Sequence, residues 1–275
     1  MEILFAHTYL ILFGKLAVGG LLALAVPPFF DVERGFYKST AAVYLALGYL
    51  MFTGEAYLLA RYRAAHVVMP AGLISWGIFV SLFSAYVLTL FVERPAIRAR
   101  VFPAAVLSGF IALAVTGWAY VPANVALAAG IPFAAALWTG AAAAGAAVTG
   151  MLLGHWYLIE TGLDLLPLRR MLAFCKICVR AEIAAVSIAV VTLWLWPSGP
   201  WHEAFAAAFG ERFVLLVVGR VAMWCAALVL LQLIERTLAI PQTMAATGLF
   251  YIQALTIAVG EILGHWLLFR TGLPL

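Results

Sequence analysis

The chain has 275 residues, of which 66% are hydrophobic and 10% are charged. Soluble domains are about 45–50% apolar and about 25% charged, and disordered segments combine low hydrophobicity with high charge. The composition therefore excludes both classes and indicates an integral membrane protein. The formal net charge of +4 does not indicate nucleic-acid binding, because most basic residues lie at the ends of apolar runs, where the positive-inside rule accounts for them.

Eight apolar runs of about 20 residues, the length that a transmembrane helix needs, follow one another along the chain. They are continuously apolar rather than alternating, so they predict helices and not the strands of a membrane barrel. The predicted fold class is therefore all-α, a polytopic membrane bundle of about eight transmembrane helices that forms one domain over residues 1–275. The connections are too short for a separate folded domain. The predicted spans, numbered in chain order, cover residues 5–26, 40–60, 71–92, 102–121, 132–159, 173–196, 213–234 and 246–269.

Spans 1 and 2 carry charged residues at membrane depth, namely Lys15 and Glu55. Charged side chains inside a bilayer are costly, so a functional role is the default hypothesis for them. We predict that Lys15 and Glu55 form an ion pair across the hairpin of spans 1 and 2. Such a pair either fixes the helix register or belongs to a proton or ion path, and Lys15 alternatively contacts a cofactor propionate.

Span 5 is rich in small residues, with glycine or alanine at every position from Gly140 to Ala147. Small residues allow helix backbones to approach closely in lipid, so we expect tight helix packing here. His155 lies near the end of the same span, with no second histidine on its side of the membrane. We interpret it as structural, and a quinone carbonyl or a phospholipid is the alternative ligand.

Span 6 combines a Cys-x-x-Cys pair, Cys175 and Cys178, with the charged residues Arg180 and Glu182. The thiols are either a redox pair, half of a metal site or ordinary membrane cysteines. A complete zinc site needs about four ligands, and no second Cys/His cluster accompanies this pair, so the pattern favours ordinary cysteines and no metal site. Arg180 and Glu182 are expected to form buried pairs or part of an ion path.

Spans 7 and 8 repeat the arrangement of spans 1 and 2, with Arg220 in span 7 and Glu261 in span 8. The predicted Arg220–Glu261 pair again fixes helix register or carries ions, and Arg220 is a further candidate to contact a propionate. His265 follows Glu261 by four residues, which places both on one helix face.

His265 and His7 are the candidate axial ligands of a haem b, because both lie near the same end of the predicted bundle. The haem iron of an electron-carrying cytochrome takes two ligands from facing helices. The alternative is that each is an interfacial histidine near the lipid headgroups, beside a belt of aromatic residues that includes Trp118 and Tyr120.

The clearest pattern is an internal repeat. Residues 150–163 read GMLLGHWYLIETGL and residues 260–273 read GEILGHWLLFRTGL, with nine of the fourteen positions identical. Weaker echoes relate the segments around Lys15 and Glu55 to those around Arg220 and Glu261. The copies fall on spans 1–2, 4–5 and 7–8, and an advance of three helices reverses direction in the membrane, which predicts inverted repeats of the kind that some transporters use. The repeat units are approximately 1–100, 101–211 and 212–275.

These observations favour an integral-membrane subunit of a respiratory-type electron-transfer complex, which anchors partner subunits and binds haem b or quinone. The alternatives are a secondary transporter or channel built on the inverted repeats, and a structural or assembly subunit without a cofactor. No motif of an autonomous enzyme, such as a phosphate-binding loop or a GxSxG elbow, is present.

Eight Lys and Arg residues flank the odd-numbered connections and four lie on the other side. Because an excess of Lys and Arg marks the cytoplasmic side, we predict that both termini lie outside. With the predicted respiratory role, the expected location is a bacterial cytoplasmic membrane.

Overall fold

The structure is a computed structural model that describes residues 2–61, 70–92, 94–121, 130–160, 162–195, 200–210, 213–240 and 242–274. These residues form nine α-helices and no strand, and eight of the helices are long and apolar enough to cross a membrane. The predicted polytopic helix bundle is thereby confirmed. The helices are α1 Glu2–Ala23, α2 Arg34–Arg61, α3 Pro70–Val92, α4 Pro95–Trp118, α5 Gly130–Ile159, α6 Leu166–Trp194, α7 Pro200–Phe209, α8 Val214–Ala239 and α9 Thr243–Thr271.

The short helix α7 has no counterpart among the predicted spans, so spans 7 and 8 correspond to α8 and α9. Its ten residues are too few to cross a bilayer. Trp201 and Phe205 are nonetheless buried, and the Trp201 ring lies 5.7 Å from the ring of Phe133 in α5. This helix therefore packs against one end of the bundle, and a search for long apolar runs does not detect it.

Contacts between helix ends establish the direction of each span. At one end, which we call the His7 end, His7 near the start of α1 meets Phe269 near the end of α9, with ring centroids 5.4 Å apart. At the other, the Arg169 end, Arg169 near the start of α6 donates a 3.2 Å hydrogen bond to the carbonyl oxygen of Leu238 near the end of α8. Successive spans therefore run in alternating directions. Which end faces the cytoplasm stays a prediction.

The middle repeat unit runs opposite to the outer two. Helices α1 and α8 both start at the His7 end, whereas α4 starts at the Arg169 end, where Arg98 lies 3.9 Å from the centre of the Phe29 ring in the connection between α1 and α2. This order of directions is the one expected for inverted repeats. The exact boundaries of the repeat units stay a prediction.

The small residues of α5 lie at its crossing with α1, as tight packing in lipid requires. A Cβ atom added to Gly19 would lie 1.6 Å from the carbonyl oxygen of Ala141, and one added to Gly145 would lie 1.9 Å from the carbonyl carbon of Gly19. Only glycine fits at these two positions, because the backbones of the two helices touch there.

The outer faces of the bundle are apolar. Large aliphatic side chains such as Ile188 and Leu215 expose 65% and 78% of their surface. Soluble proteins rarely show large contiguous apolar patches, whereas lipid-facing helices need them. These faces indicate contact with the lipid bilayer.

Candidate functional site

Four charged side chains from four helices meet in the interior of the bundle. We call them the charged layer: Lys15 of α1, Glu182 of α6, Arg220 of α8 and Glu261 of α9. Lys15 Nζ donates to Glu261 Oε2, while Arg220 Nη2 donates to Glu261 Oε1 at 3.0 Å and to Glu182 Oε1 at 2.5 Å. Each residue is at most 5% exposed. Two cations thus face two carboxylates, which is the pairing that buried charges need.

The charged layer confirms one predicted ion pair and corrects the other. Arg220 and Glu261 pair as the repeat predicts, but Lys15 pairs with Glu261 rather than with Glu55, which instead contacts His7. The reason is depth. Glu55 lies in the last two turns of α2, level with the start of α1, whereas Lys15 lies near the middle of the span Phe5–Ala23.

Two glycines make room for the charged layer. A Cβ atom on Gly140 of α5 would lie 2.6 Å from Lys15 Nζ and 2.9 Å from both carboxylate oxygens of Glu261. One on Gly260 of α9 would lie 2.9 Å from Arg220 Nη1. The ion pairs therefore pack directly against helix backbone, and a side chain at either position would displace them.

A cavity of about 20 Å³ borders the charged layer and has room for about one water molecule. Lys15, Arg220, Glu261 and His265 contribute its polar lining. His265 is 3% exposed, and neither of its ring nitrogens is hydrogen-bonded to a side chain within the described part of the chain, whereas the backbone of Thr8 lies close enough to interact with the ring. Its Nε2 atom lies 3.6 Å from Glu261 Oε2. Buried polar groups are nearly always hydrogen-bonded, and ordered water is a common partner, so this cavity is suited to a water molecule bound to His265.

Gln253 is a second buried polar residue of α9, two turns closer to the Arg169 end than Glu261. It is fully buried, and neither of its amide atoms has a hydrogen-bond partner among the described residues. Besides Thr247, helix α9 therefore carries buried polar side chains at His265, Glu261 and Gln253. Together they extend polar character from the His7 half of the bundle past the charged layer.

His7 forms a separate buried site at the His7 end. Its Nε2 atom lies 2.6 Å from Glu55 Oε1, and its Nδ1 atom lies 2.6 Å from the Tyr120 hydroxyl. Burial and the nearby Glu55 raise the pKa of the Tyr120 phenol, so the hydroxyl keeps its proton and can donate it to Nδ1. The Nε2–H of a neutral His7 then donates to Glu55. Both ring nitrogens of His7 are thus engaged, and the predicted pairing of His7 with His265 on a haem stays a prediction.

Four predicted residues of interest lie apart from both sites. His155 is exposed, with Nδ1 3.3 Å from the Tyr251 hydroxyl. Arg180 is exposed on α6, so the prediction that it forms a buried pair is wrong. Arg180 and Glu182 are two residues apart and therefore point to nearly opposite faces of the helix, of which only the Glu182 face is buried. Cys175 and Cys178 are buried free thiols, and no group of three or more metal-ligating side chains occurs among the described residues.

Sequence reasoning missed several members of the site. Trp224 of α8 donates from Nε1 to Glu182 Oε1 at 3.0 Å, and its ring lies 4.8 Å from the Arg220 guanidinium. Tyr120 was expected in an aromatic belt, and its role depends on a partner that is distant in sequence. Gln253, an amide inside an apolar run, carries the same signal of a polar residue at membrane depth that identified the charged residues.

Comparisons of the chain with models of known protein families, with curated protein sequences and with solved structures give no match. The function is therefore argued from the geometry of the site.

Proposed function

We propose that the chain is a membrane transporter or channel that moves protons through the charged layer. The observation that supports this most is His265: it is buried in a water-sized cavity that it shares with Lys15, Arg220 and Glu261, and neither ring nitrogen is hydrogen-bonded to a side chain among the described residues. Ionisable residues that face the interior of a membrane bundle mark ion pathways and proton relays.

His265 is the entry point for the proton. A neutral imidazole accepts a proton at one nitrogen and donates one from the other. The cavity beside the ring has room for a water molecule, and the Nε2 atom of the ring lies 3.6 Å from Glu261 Oε2. A proton taken from this water can therefore pass to Glu261.

Proton transfer to Glu261 changes the charge balance of the layer. Before transfer, Lys15 and Arg220 face the carboxylates of Glu182 and Glu261. After transfer, two cations face one carboxylate, and a buried unpaired charge is costly. Release of a proton from Lys15, which contacts Glu261 directly, restores the balance. One proton then enters the layer at His265 and one is released from Lys15 to water in the same cavity, so net transport requires this cavity to open to the two sides of the membrane in turn.

Helix direction provides separate support for transport. The charged layer joins the last predicted repeat unit, through Arg220, to the middle unit, which runs in the opposite direction, through Glu182. Transporters with inverted repeats place their sites near the midplane at the interface between repeats. The layer occupies such an interface.

The test is proton flux into liposomes that contain the purified protein, driven by a potassium gradient with valinomycin and followed with a pH-sensitive dye in the lumen. We expect wild-type protein to acidify the lumen faster than empty liposomes. The His265→Ala and His265→Gln variants should lose flux by about a hundredfold, the usual range for removal of a proton-transfer group.

The matched control is His155→Ala, which changes the histidine of the other copy of the motif, where the side chain is exposed. It should conduct like the wild type. Flux that is equal in wild-type and empty liposomes, or unchanged in both His265 variants, would overturn the proposal.

A second candidate is the membrane subunit of an electron-transfer complex that anchors partner subunits and holds haem b or a quinone. The buried ring of His265, which shares a cavity with the cations Lys15 and Arg220, favours it. In this packing, however, the cavity holds about one water molecule, so neither group fits without movement of the lining helices. An absorption spectrum of oxidised and reduced protein and an assay of co-purified quinone test it: an α-band or a bound quinone that is lost in His265→Ala supports it, and the absence of both excludes it.

A further inference from the structure

An open groove of about 640 Å³ separates α6 from α8 on the surface of the bundle. We call it the α6–α8 groove, and its polar lining consists of Lys176, Arg180, Gln232, Glu235 and Arg236. An adjoining hollow of about 540 Å³ shares Lys176, Arg180 and Glu235 and adds Arg169.

Hydrogen bonds join α6 to α8 beyond each end of the groove. At the Arg169 end, Arg169 donates to the carbonyl oxygen of Leu238 at 3.2 Å. Toward the bundle centre, Trp224 donates to Glu182 Oε1 at 3.0 Å. The groove thus lies between two points at which α6 and α8 are in contact, and these contacts limit its length.

The charge of the groove is strongly positive. Four cations, from Arg169, Lys176, Arg180 and Arg236, face the single carboxylate of Glu235. Lys176 Nζ contacts Glu235 Oε1 at 2.5 Å. No ion pair within 4.0 Å involves Arg180 or Arg236 among the residues that the structure describes. An anion that enters the groove therefore meets cations that are not already neutralised.

The surroundings of the groove are apolar and exposed. Ile177 and Ile188 of α6 are 64% and 65% exposed, and Val229 and Leu233 of α8 are 55% and 40% exposed. These side chains face lipid in a membrane-spanning bundle. Arg180 lies two residues from Glu182, well inside its span, where an arginine without an anion is costly. Glu235 lies near enough to interact with Arg180 but already pairs with Lys176, so an anion from the bilayer completes the compensation.

We propose that the α6–α8 groove binds an anionic phospholipid, with the headgroup phosphate between Arg180, Arg236 and Lys176. Basic pockets between transmembrane helices are suited to anionic headgroups, and arginine binds phosphate oxygens through two parallel hydrogen bonds. The apolar wall formed by Ile183, Leu228 and Leu231 accommodates an acyl chain. This site is independent of proton movement through the charged layer.

The test uses the full chain, delipidated in a zwitterionic detergent. Native mass spectrometry measures binding of phosphatidylglycerol and of phosphatidylcholine with identical acyl chains. We expect phosphatidylglycerol to bind more tightly. Arg180→Gln should weaken this binding about fivefold, the value of one cation beside an anionic headgroup, and Arg236→Gln should act in the same direction.

Glu235→Gln should have the opposite effect, because it removes the only carboxylate in the groove and releases Lys176. A severalfold tighter binding of phosphatidylglycerol is expected, and a folding defect would not produce it. Arg100→Gln is the matched control, since Arg100 is an exposed arginine at the same end of the bundle on α4. It should leave the affinity unchanged.

Two results would overturn the proposal. In the first, Arg100→Gln weakens the binding of phosphatidylglycerol as much as Arg180→Gln does, which shows attraction by the overall charge of the protein. In the second, inorganic phosphate or glycerol 3-phosphate displaces the lipid at micromolar concentration, which shows that the groove takes a free phosphate rather than a headgroup with its acyl chains.

Discussion

The two Gly-His-Trp segments place equivalent histidines in opposite surroundings. His265 of α9 is 3% exposed and borders the charged layer, whereas His155 of α5 is exposed and its Nδ1 atom lies 3.3 Å from the Tyr251 hydroxyl. The position four residues earlier explains the difference. It is Glu261 in the second copy and Met151 in the first. This position therefore distinguishes the copy that joins the charged layer from the copy that does not.

The residues that the copies share serve helix packing. In the first copy, a Cβ atom on Gly150 would lie 2.5 Å from the Phe250 ring, and one on Gly154 would lie 2.7 Å from Thr247 Oγ1. In the second copy, Gly260 makes the equivalent close approach to Arg220. The identical glycines thus keep α5 and α9 close to their neighbours in both copies, and the comparison teaches that sequence identity here reports packing rather than chemistry.

The largest effect should come from Glu261→Gln, which removes the charge that the first copy lacks. Lys15 and Arg220 would then be left with one carboxylate between them. Breaking a buried ion pair by removal of one partner costs about 3–5 kcal/mol, so we expect the free energy of unfolding in detergent to fall by that amount. Met151→Gln, the equivalent change in the first copy, should cost far less because Met151 is only partly buried. Equal losses in the two variants would contradict the assignment of Glu261 to the charged layer.

Gly140→Ala sharpens the comparison from the side of α5. The added methyl group would meet Lys15 Nζ at 2.6 Å and the Glu261 carboxylate at 2.9 Å, so we expect a loss of about 1–3 kcal/mol, as for other overpacked sites. Gly248→Ala on α9 is the control, since no atom lies within 4 Å of the added group. Removal of an unconstrained helix glycine stabilises by up to about 1 kcal/mol. Thermal unfolding of the two variants should therefore shift in opposite directions.

The smallest loss of stability is expected when the hydrogen bonds of His7 and His155 are removed. Tyr120→Phe deletes the 2.6 Å contact with the buried His7, and loss of such a bond costs about 1 kcal/mol. Tyr251→Phe deletes the longer contact with the exposed His155 and should stay within about 0.5 kcal/mol of the wild type. Chemical denaturation of both variants measures the difference, and a greater loss in Tyr251→Phe would reverse the environments assigned to these histidines.

Much of the fold follows from local sequence, because each span is a continuous apolar run that has to satisfy its own backbone in lipid. The Arg220–Glu261 pair also follows, since its partners lie on adjacent antiparallel helices at similar depth. The Lys15–Glu261 contact does not. It joins residues 246 positions apart in the chain, and no local pattern states which helices α1 will touch.

The second feature that the sequence did not predict is which face of a helix is buried. Arg180 and Glu182 show the same signal in the sequence, a charge within an apolar run. Side chains that are two residues apart on a helix, however, point about 200° apart around its axis. One of them therefore faces the interior and the other the lipid. Only the packing of α6 against α5 and α8 decides which side chain faces inward, and that packing is a property of the whole bundle.

The crossing of α1 and α5 at Gly19 and Gly145 has a mechanical consequence. At this point the two backbones touch and no side chains interlock. The close backbone contact holds the helices together there, but it opposes a change in their crossing angle only weakly. Lys15 and Gly140 face each other about one turn away from this pivot, on the side of the water-sized cavity. A small tilt of α1 about this crossing therefore changes the distance between Lys15 and Gly140. It thereby changes the size of the cavity beside His265, while the two helices stay in contact.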